Sequence, residues 1–182
     1  MHNIAICLYG AASSNIADNY LHKTEELGCE IGARGHSLVF GGGSTGLMGA
    51  CARGVKSAGG HLIAVIPKFM GKFELLMEDC NELIWTETMS QRKEIMEERA
   101  NAFIIAPGGI GTMDEFFEIL TLKSLDLKSC PILLYNIDGY FDDIIHFIDT
   151  GIQKGFIRTH VKDCFRAVND PTEALDLIEY FS

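Results

Sequence analysis

The chain has 182 residues, of which 47% are hydrophobic and 22% charged, a composition that suits one globular domain with a full core and excludes a disordered chain. Its net charge of −10 excludes the dense basic patch with which proteins bind nucleic acid or anionic membranes. The six cysteines form no C-x-x-C pair and no zinc-like spacing with histidine, which predicts reduced thiols, no metal site and a cytoplasmic protein. No stretch approaches the roughly 18 apolar residues of a membrane span, and the N-terminus lacks the pattern of a signal peptide.

Short apolar runs typical of buried strands alternate along the chain with amphipathic stretches typical of helices. The predicted strands are 3–9, 37–40, 61–66, 82–85, 101–106, 131–135 and 164–168. The predicted helices are 15–34, one that follows the glycines of 41–49 and ends near 58, 89–99, one that ends near 127, 140–154 and one that starts at 170. Asp170, Pro171 and Glu173 give that last helix an N-cap, a first-turn proline and an N3 carboxylate.

This alternation predicts the fold class. Strands that are separated by helices of this length form parallel sheets, because each helix carries the chain back to the start of the next strand. We therefore expect an α/β protein with a single doubly wound, mostly parallel, Rossmann-like sheet and helices on both faces. No linker, repeat or low-complexity tract interrupts the pattern, so residues 1–182 are predicted to form one domain.

The joint between a predicted strand and a predicted helix at residues 106–115, Ala-Pro-Gly-Gly-Ile-Gly-Thr-Met-Asp-Glu, is the strongest functional signal in the chain. Backbone N–H groups at a glycine-containing helix N-terminus converge on an anion. Glycines also follow the first predicted strand, at Gly10, and the second, at 41–43. Ligands of doubly wound sheets bind beyond the carboxyl ends of the strands, so these loops together predict a cleft for a phosphate-bearing ligand. The dinucleotide fingerprint G-x-G-x-x-G and the G-x-x-x-x-G-K-[ST] motif are both missing, so NAD or ATP use is not supported.

Thr112 and Glu115 allow two interpretations. A threonine followed three residues later by glutamate at a helix start is also a capping box. Capping alone does not account for the neighbouring glycines, which favours a functional role for Glu115. The carboxylate of Asp114 is interpreted as a solvated group that complements the dipole of the first helical turn.

Arg92 lies on the apolar stripe of the predicted helix 89–99, where a charged side chain needs a partner. That stripe consists of Met89, Arg92, Met96 and Ala100. The alternatives are that Arg92 extends to the surface, and that Lys93 forms a plain ion pair with Glu97 four residues later. Because this helix directly precedes the strand 101–106, its start is expected at the same sheet edge as the joint, which favours a functional role for Arg92.

These motifs resemble those of the Lonely Guy (LOG) family. The segments that carry the resemblance are Gln91-Arg92-Lys93, Pro107 to Glu115, which fits P-G-G-x-G-T-x-x-E, Gly41 to Gly49, and Asn136-Ile-Asp-Gly-Tyr-Phe141. Members of that family are cytokinin riboside 5′-monophosphate phosphoribohydrolases, which are often mislabelled as lysine decarboxylases. The resemblance implies a nucleotide-binding domain that hydrolyses the N-glycosidic bond of purine nucleoside 5′-monophosphates, including N6-modified ones, to free base and ribose 5-phosphate. It implies no cofactor, a small-molecule substrate such as AMP, and a homodimer.

The resemblance also implies roles for individual residues. Arg92 and Glu115 are the expected catalytic pair: an ionised Glu115 stabilises positive charge on the ribose or activates water, and Arg92 fixes the carboxylate or the ribose and keeps Glu115 ionised. The 5′-phosphate is expected at the glycines of the joint and Thr112. The full set of expected substrate-binding residues is Gly42, Gly43, Ser44, Glu74, Lys93, Gly108, Gly109, Ile110, Gly111, Thr112, Met113, Asp114 and Thr121.

The chain departs from the family pattern at two places. Members commonly have histidine where this chain has Ser90, and they carry T-W-x-Q-L-G-x-H-x-K-P in place of residues 121–131. These positions lie near the expected base pocket, so the preference for an isopentenylated base stays open. A non-catalytic nucleotide-binding or carrier protein of the same fold is the alternative function, and the presence of both Arg92 and Glu115 favours the enzyme. Lysine decarboxylase is a third hypothesis, but no lysine has a setting that suits pyridoxal phosphate.

Overall fold

The computed structural model describes residues 3–70, 75–77 and 79–181. Its strands, in chain order, are Ala5–Tyr9 (β1), Ser37–Phe40 (β2), His61–Pro67 (β3), Glu82–Thr86 (β4), Ala102–Ile105 (β5), Ile132–Tyr135 (β6) and Arg166–Val168 (β7). Its α-helices are Asp18–Ala33 (α1), Gly46–Ser57 (α2), Met89–Arg99 (α3), Ile110–Ser124 (α4), Asp142–Gln153 (α5) and Pro171–Phe181 (α6). Short 3-10 helices lie at Ile137–Gly139 and Thr159–Cys164.

The strands form one sheet in the order β4-β3-β2-β1-β5-β6-β7. Every pair of neighbouring strands is parallel, and the antiparallel pairing seen within the described ranges is an isolated bridge between Gly43 and Leu76. The strand order reverses between β1 and β5, whose last residues Tyr9 and Ile105 lie side by side. In doubly wound sheets this reversal opens the crevice in which ligands bind.

Helices cover both faces of the sheet, which confirms the predicted fold class. Side chains of β1 alternate between the two layers, since neighbours along a strand point to opposite faces. Ile6 and Leu8 belong to one hydrophobic cluster, and Cys7 and Tyr9 belong to the other. The first cluster includes residues of α1, α2 and α6, namely Leu27, Ile31, Leu47, Val55, Leu175 and Ile178. The second includes residues of α3, α4 and α5, namely Met96, Phe116, Ile119 and Ile148.

Every predicted strand and helix is present, and the differences lie at their ends. The helix predicted after the glycines of 41–49 already begins at Gly46, inside the run. A Cβ atom on Gly49 would lie 2.1 Å from the carbonyl oxygen of Ser44, so the last glycine of the run lets the helix pack closely against the loop that precedes it. At α6 the predicted cap is confirmed, because the N–H of Glu173 donates to Asp170 Oδ1 over 3.0 Å.

All six cysteines are free thiols, as the sequence predicts. Among the described helices, none combines the length and the apolar character required to cross a membrane. The cytoplasmic location stays a prediction.

Candidate active site

A cavity of about 380 Å³ lies at the carboxyl edge of the sheet, beside the point where the strand order reverses. Its volume is in the range of small-molecule sites. The loops around it are tied together, because the N–H of Ala11 donates to Pro107 O over 3.1 Å and the N–H of Leu47 donates to Ala11 O over 2.8 Å. The cavity is lined by Gly10, Ala11, Ala12, Ser13, Met48, Met70, Met89, Arg92, Gly109, Gly111, Thr112, Asp114 and Glu115. The loops after β1 and β5 therefore converge as the sequence predicts.

Arg92 and Glu115 form a buried ion pair in the wall of this cavity. Arg92 Nη1 lies 3.0 Å from Glu115 Oε1, and Arg92 Nε donates to the carbonyl oxygen of Val65 over 3.3 Å. Only 6% of Arg92 and 9% of Glu115 are exposed. Glu115 of α4 is thus the partner that Arg92 needs on the apolar stripe of α3. The alternative, in which Arg92 extends to the surface, is wrong.

Gly41, the first glycine after β2, makes room for the guanidinium. A Cβ atom at this position would lie 2.3 Å from Arg92 Nη2 and 3.3 Å from Met48 Sδ. The lack of a side chain there is therefore a packing requirement of the ion pair. The loop after β2 contributes to the site by this close approach.

Burial raises the pKa of Glu115 from 4.5 to about 7, although the Arg92 guanidinium beside it acts in the opposite direction. Arg92 thus favours the ionised form of Glu115, as the resemblance implies, while burial favours the protonated form. One close hydrogen bond replaces only part of the hydration that the carboxylate loses on burial. A carboxyl group with a pKa near neutrality is suited to exchange a proton at physiological pH.

The N-terminus of α4 faces the same cavity. The helix begins at Ile110 with Gly109 as its N-cap and without a side-chain cap, so Thr112 lies in the first turn and Glu115 in the second. The capping-box interpretation of Thr112 and Glu115 is therefore wrong, because the helix starts earlier than that pattern requires. Asp114 likewise lies past the first turn.

The backbone at this helix start is free to bind an anion. First-turn N–H groups have no acceptor within their own helix, and no acceptor in the described ranges bonds those of Ile110, Gly111 and Thr112. A Cβ atom on Gly109 or Gly111 would meet no atom within 4 Å. Neither glycine has a positive φ, so neither backbone strain nor packing within the chain requires it. The open space over both residues lets a ligand approach the N–H groups closely.

Lys93 and Thr121 line a neighbouring cavity rather than this one. Lys93 Nζ lies 3.1 Å from Asp114 Oδ2 and 2.6 Å from Glu118 Oε2, instead of pairing with Glu97. The hydroxyl of Thr121 donates to Phe117 O over 2.6 Å within its own helix. Asp114 borders both cavities and pairs with Lys93, which lines only the neighbouring cavity.

Of the other predicted binding residues, those that the structure describes also lie outside the cavity. The carbonyl of Gly42 accepts from Met77 N over 2.9 Å, and the Ser44 hydroxyl donates to Leu75 O over 2.8 Å, so residues 42–44 hold the segment 75–77. Ile110 is exposed at the helix start, while Met113 packs against the core. A Cβ atom on Gly108 would lie 2.1 Å from Thr112 Oγ1. Glu74 lies outside the described residues.

The cavity also contains residues that the sequence analysis did not assign to it. Most of them follow β1 or start a helix, and they are Ala11, Ala12, Ser13, Met48, Met70 and Met89. Apolar side chains at helical spacing usually belong to the core, so the sequence pattern gives no reason to place Met48 and Met89 in a cavity. The feature of the sequence that could have indicated their place in the cavity is their position at helix starts. Met89 is the first residue of α3, and Met48 lies in the first turn of α2.

Comparison with known proteins gives a family model, described as "Possible lysine decarboxylase", that matches residues 48–178. The chain is 36% identical over 177 residues to the cytokinin riboside 5′-monophosphate phosphoribohydrolase LOG4 of Arabidopsis thaliana, covering 97% of this chain and 82% of the relative. It is 34% identical over 176 residues to LOG2 of the same plant, with 97% and 83% coverage. The probable phosphoribohydrolase LOGL9 of Oryza sativa subsp. japonica is 37% identical over 177 residues, with 97% and 78% coverage.

Solved structures share the fold at lower identity. The molybdenum cofactor carrier protein of Chlamydomonas reinhardtii aligns with a TM-score of 0.75 and 23% identity, covering 99% of this chain and 98% of that one. The molybdenum cofactor binding protein of Rippkaea orientalis aligns with a TM-score of 0.76 and 20% identity, covering 99% and 98%. At these identities the likeness establishes the fold alone.

Proposed function

The chain belongs to the LOG family, and from this membership and the geometry of its cavity we propose that it hydrolyses the N-glycosidic bond of purine nucleoside 5′-monophosphates, giving free base and ribose 5-phosphate. The observation that carries the proposal is the buried pair of Arg92 and Glu115, 3.0 Å apart, beside a helix N-terminus with unpaired N–H groups. One cavity thus contains both a helix N-terminus and a carboxyl group, which supports the proposal.

The helix start is the proposed site of the 5′-phosphate. The N–H groups of Gly111 and Thr112 and the positive end of the α4 dipole favour a dianion, which offsets the negative net charge of the chain locally. Glu115 follows Thr112 by three residues and lies on the same face of the helix, about 4.5 Å further along the axis. A ribose that extends from the bound phosphate therefore reaches the carboxyl group.

Glu115 is the proposed catalytic carboxylate. Cleavage of the bond between the anomeric carbon and the base nitrogen builds positive charge on the ribose, which an ionised carboxylate stabilises. The attacking water gives its oxygen to the anomeric carbon and one proton to Glu115, while the bond to the base breaks and the departing base takes up a proton from solvent at the nitrogen that held the sugar. Glu115 then releases its proton to solvent, which returns it to the ionised form. Arg92 holds Oε1, which leaves Oε2 for the water or the ribose.

The experiment that tests this function is release of free base from AMP by the purified protein, with GMP, CMP and isopentenylated AMP in parallel. Free adenine and ribose 5-phosphate in equal amounts are expected from AMP. Adenosine serves as the control, because it lacks the phosphate and is expected to react far more slowly. If no monophosphate yields free base although it binds, the protein is a nucleotide-binding or carrier protein instead.

Lysine decarboxylation, the activity in the description of the family model, is not proposed. Pyridoxal phosphate enzymes need a lysine at the cofactor's aldehyde carbon. No lysine within the described ranges lines the cavity, and Lys93 beside it is engaged by two carboxylates.

Replacing Gly111 by alanine is expected to affect stability and binding in opposite directions. The free energy of unfolding should rise by about 0.5–1 kcal/mol, because Gly111 has helical backbone angles and open space around its Cβ position. The KM for AMP should rise about tenfold or more, because the methyl group stands where the phosphate approaches. Thermal unfolding and steady-state kinetics measure the two effects. Gly155→Ala, at a positive φ far from the cavity, is the control that should lose stability without changing KM.

We also propose that the chain forms a homodimer through the face of α4 and α5. Large apolar side chains are exposed there: Ile110 by 88%, Leu125 by 55% and Phe147 by 59%. Phe147 packs edge-on against Phe117 of α4, with ring centroids 6.4 Å apart, so aromatic side chains of the two helices meet at this face. Clustered exposed apolar groups of this size mark protein interfaces.

Sedimentation equilibrium at micromolar concentration tests the dimer. Wild type is expected to have twice the mass of one chain, and Phe147→Glu is expected to be monomeric, because it places a charge in the apolar surface. Tyr180→Glu, which changes an even more exposed aromatic residue on α6, should stay dimeric. A monomeric wild-type protein refutes the proposal.

A further inference from the structure

The turn after β6 contacts the helix start at which the anion is proposed to bind. The hydroxyl of Tyr140 donates to the carbonyl oxygen of Gly108 over 2.6 Å. Gly108 immediately precedes Gly109, the N-cap of α4. The segment Asn136 to Phe141 carries part of the family resemblance, and none of its residues lines the cavity.

The sequence of this turn is organised to hold Tyr140 in place. The Asn136 side chain accepts from the N–H of Phe141 over 2.7 Å and donates to Asp142 Oδ1 over 2.8 Å. Two successive residues, Asp138 and Gly139, have φ values of 53° and 75°, which produce a sharp reversal of the chain. Asn, Asp and Gly are the residues that tolerate or stabilise such a reversal.

The turn is also anchored at both ends. Phe141 is fully buried in the core. Asp138 accepts a hydrogen bond of 2.5 Å from Asn19 and one of 3.0 Å from Lys23, both on α1. Because the turn is fixed to the core and to α1, it holds the Tyr140 hydroxyl in one position beside Gly108.

Holding the carbonyl of Gly108 fixes the direction of the next N–H. In a trans peptide the C=O of one residue and the N–H of the next point in opposite directions, and no cis peptide occurs in the described ranges. The bond to Tyr140 thus sets the plane of the peptide between Gly108 and Gly109. It also polarises that peptide, which strengthens the N–H of Gly109 as a donor. Gly109 lines the cavity, and no Cβ atom restrains its backbone.

We propose that Tyr140 is a positioning residue for the phosphate group of the substrate, which it orients through the peptide between Gly108 and Gly109. The proposal rests on the proposed function only in taking a sugar phosphate as the ligand of the helix start. Tyr140 touches neither the reacting atoms nor the cavity, and it acts on the affinity for the phosphate.

The test is Tyr140→Phe, which removes the hydroxyl and keeps the ring that packs against Phe141 with centroids 5.2 Å apart. Titration calorimetry with ribose 5-phosphate is expected to give a Kd about 3- to 10-fold higher than wild type, the effect of one lost hydrogen bond. The KM for AMP should rise by the same factor while kcat changes less than about twofold, since the chemistry at Glu115 is unaffected. The affinity for adenosine, which lacks the phosphate, should be unchanged. Tyr180→Phe, at an exposed position of α6, is the matched control and should equal wild type.

Two results overturn the proposal. One is an unchanged Kd for ribose 5-phosphate in Tyr140→Phe. The other is an equal loss of affinity for adenosine and for ribose 5-phosphate, which indicates a general distortion of the cavity. Because the readout is binding of the product, it decides the role of Tyr140 even if the wild-type protein releases no base from any nucleotide.

Discussion

Glu115→Gln is expected to lower kcat for AMP hydrolysis by about 10³-fold and to leave the Kd for AMP within about threefold of wild type. Glutamine keeps the shape and one hydrogen bond to Arg92, but it neither accepts a proton nor carries the charge that stabilises the ribosyl cation. Steady-state kinetics measures kcat, and equilibrium binding measures the Kd for AMP. Glu173→Gln, the same change on α6, is the control for the substitution itself. Turnover that survives in Glu115→Gln means that this carboxylate has only a structural role.

The same variant should change how stability depends on pH. The pKa of Glu115 is raised in the folded protein to about 7 from 4.5, so the folded state binds more protons than the unfolded state between these values. Wild-type stability therefore falls as the pH rises through this window, by on the order of 3 kcal/mol, and glutamine does not titrate. Urea unfolding should show the variant gaining stability relative to wild type between about pH 5 and pH 8. Parallel curves for the two proteins contradict the raised pKa.

Arg92→Ala is expected to lower kcat/KM for AMP at pH 7 by about 10²-fold or more. The guanidinium lowers the pKa of Glu115 against the larger effect of burial, so its removal raises that pKa further. Less of the carboxyl group is then ionised at neutral pH, and the remaining carboxylate is no longer held by Arg92. In wild type, kcat/KM should fall as the pH drops below about 7, where Glu115 becomes protonated. In Arg92→Ala this fall should begin at a higher pH.

The pH profile distinguishes this role of Arg92 from simple loss of packing. A damaged cavity lowers kcat/KM at every pH and leaves the midpoint in place. The variant should also unfold more easily at pH 8, by about 3 kcal/mol, because a buried carboxylate is left without its partner, and the difference should shrink toward pH 5, where Glu115 is protonated in both proteins. Arg99→Ala removes an exposed arginine from the other end of α3 and should leave the profile unchanged. An unshifted midpoint in Arg92→Ala contradicts the coupling.

Most of the fold could be predicted from the sequence because its signals are local. The buried strands β1, β2 and β5 are short apolar runs, α1 and α3 have helical periodicity, and glycines or prolines mark many of the ends. The limits of the elements were less certain, since they depend on contacts between segments. α4 starts at Ile110, three residues before the start that Thr112 as N-cap predicts, and its N-cap Gly109 makes no side-chain hydrogen bond.

The sequence by itself determined the α/β alternation, the glycine-containing helix start at residues 107–112 and the need of Arg92 for a partner, because each follows from the spacing of residues along one segment. Only the tertiary structure decided that this partner is Glu115, that Gly41 makes room for it, and that burial outweighs the arginine in setting the carboxyl pKa. The tertiary structure alone also shows that Lys93 and Thr121 lie outside the cavity and that Tyr140 contacts Gly108. Ion pairing, desolvation and close approach depend on distances between residues that are far apart in the chain, and no local pattern specifies these distances.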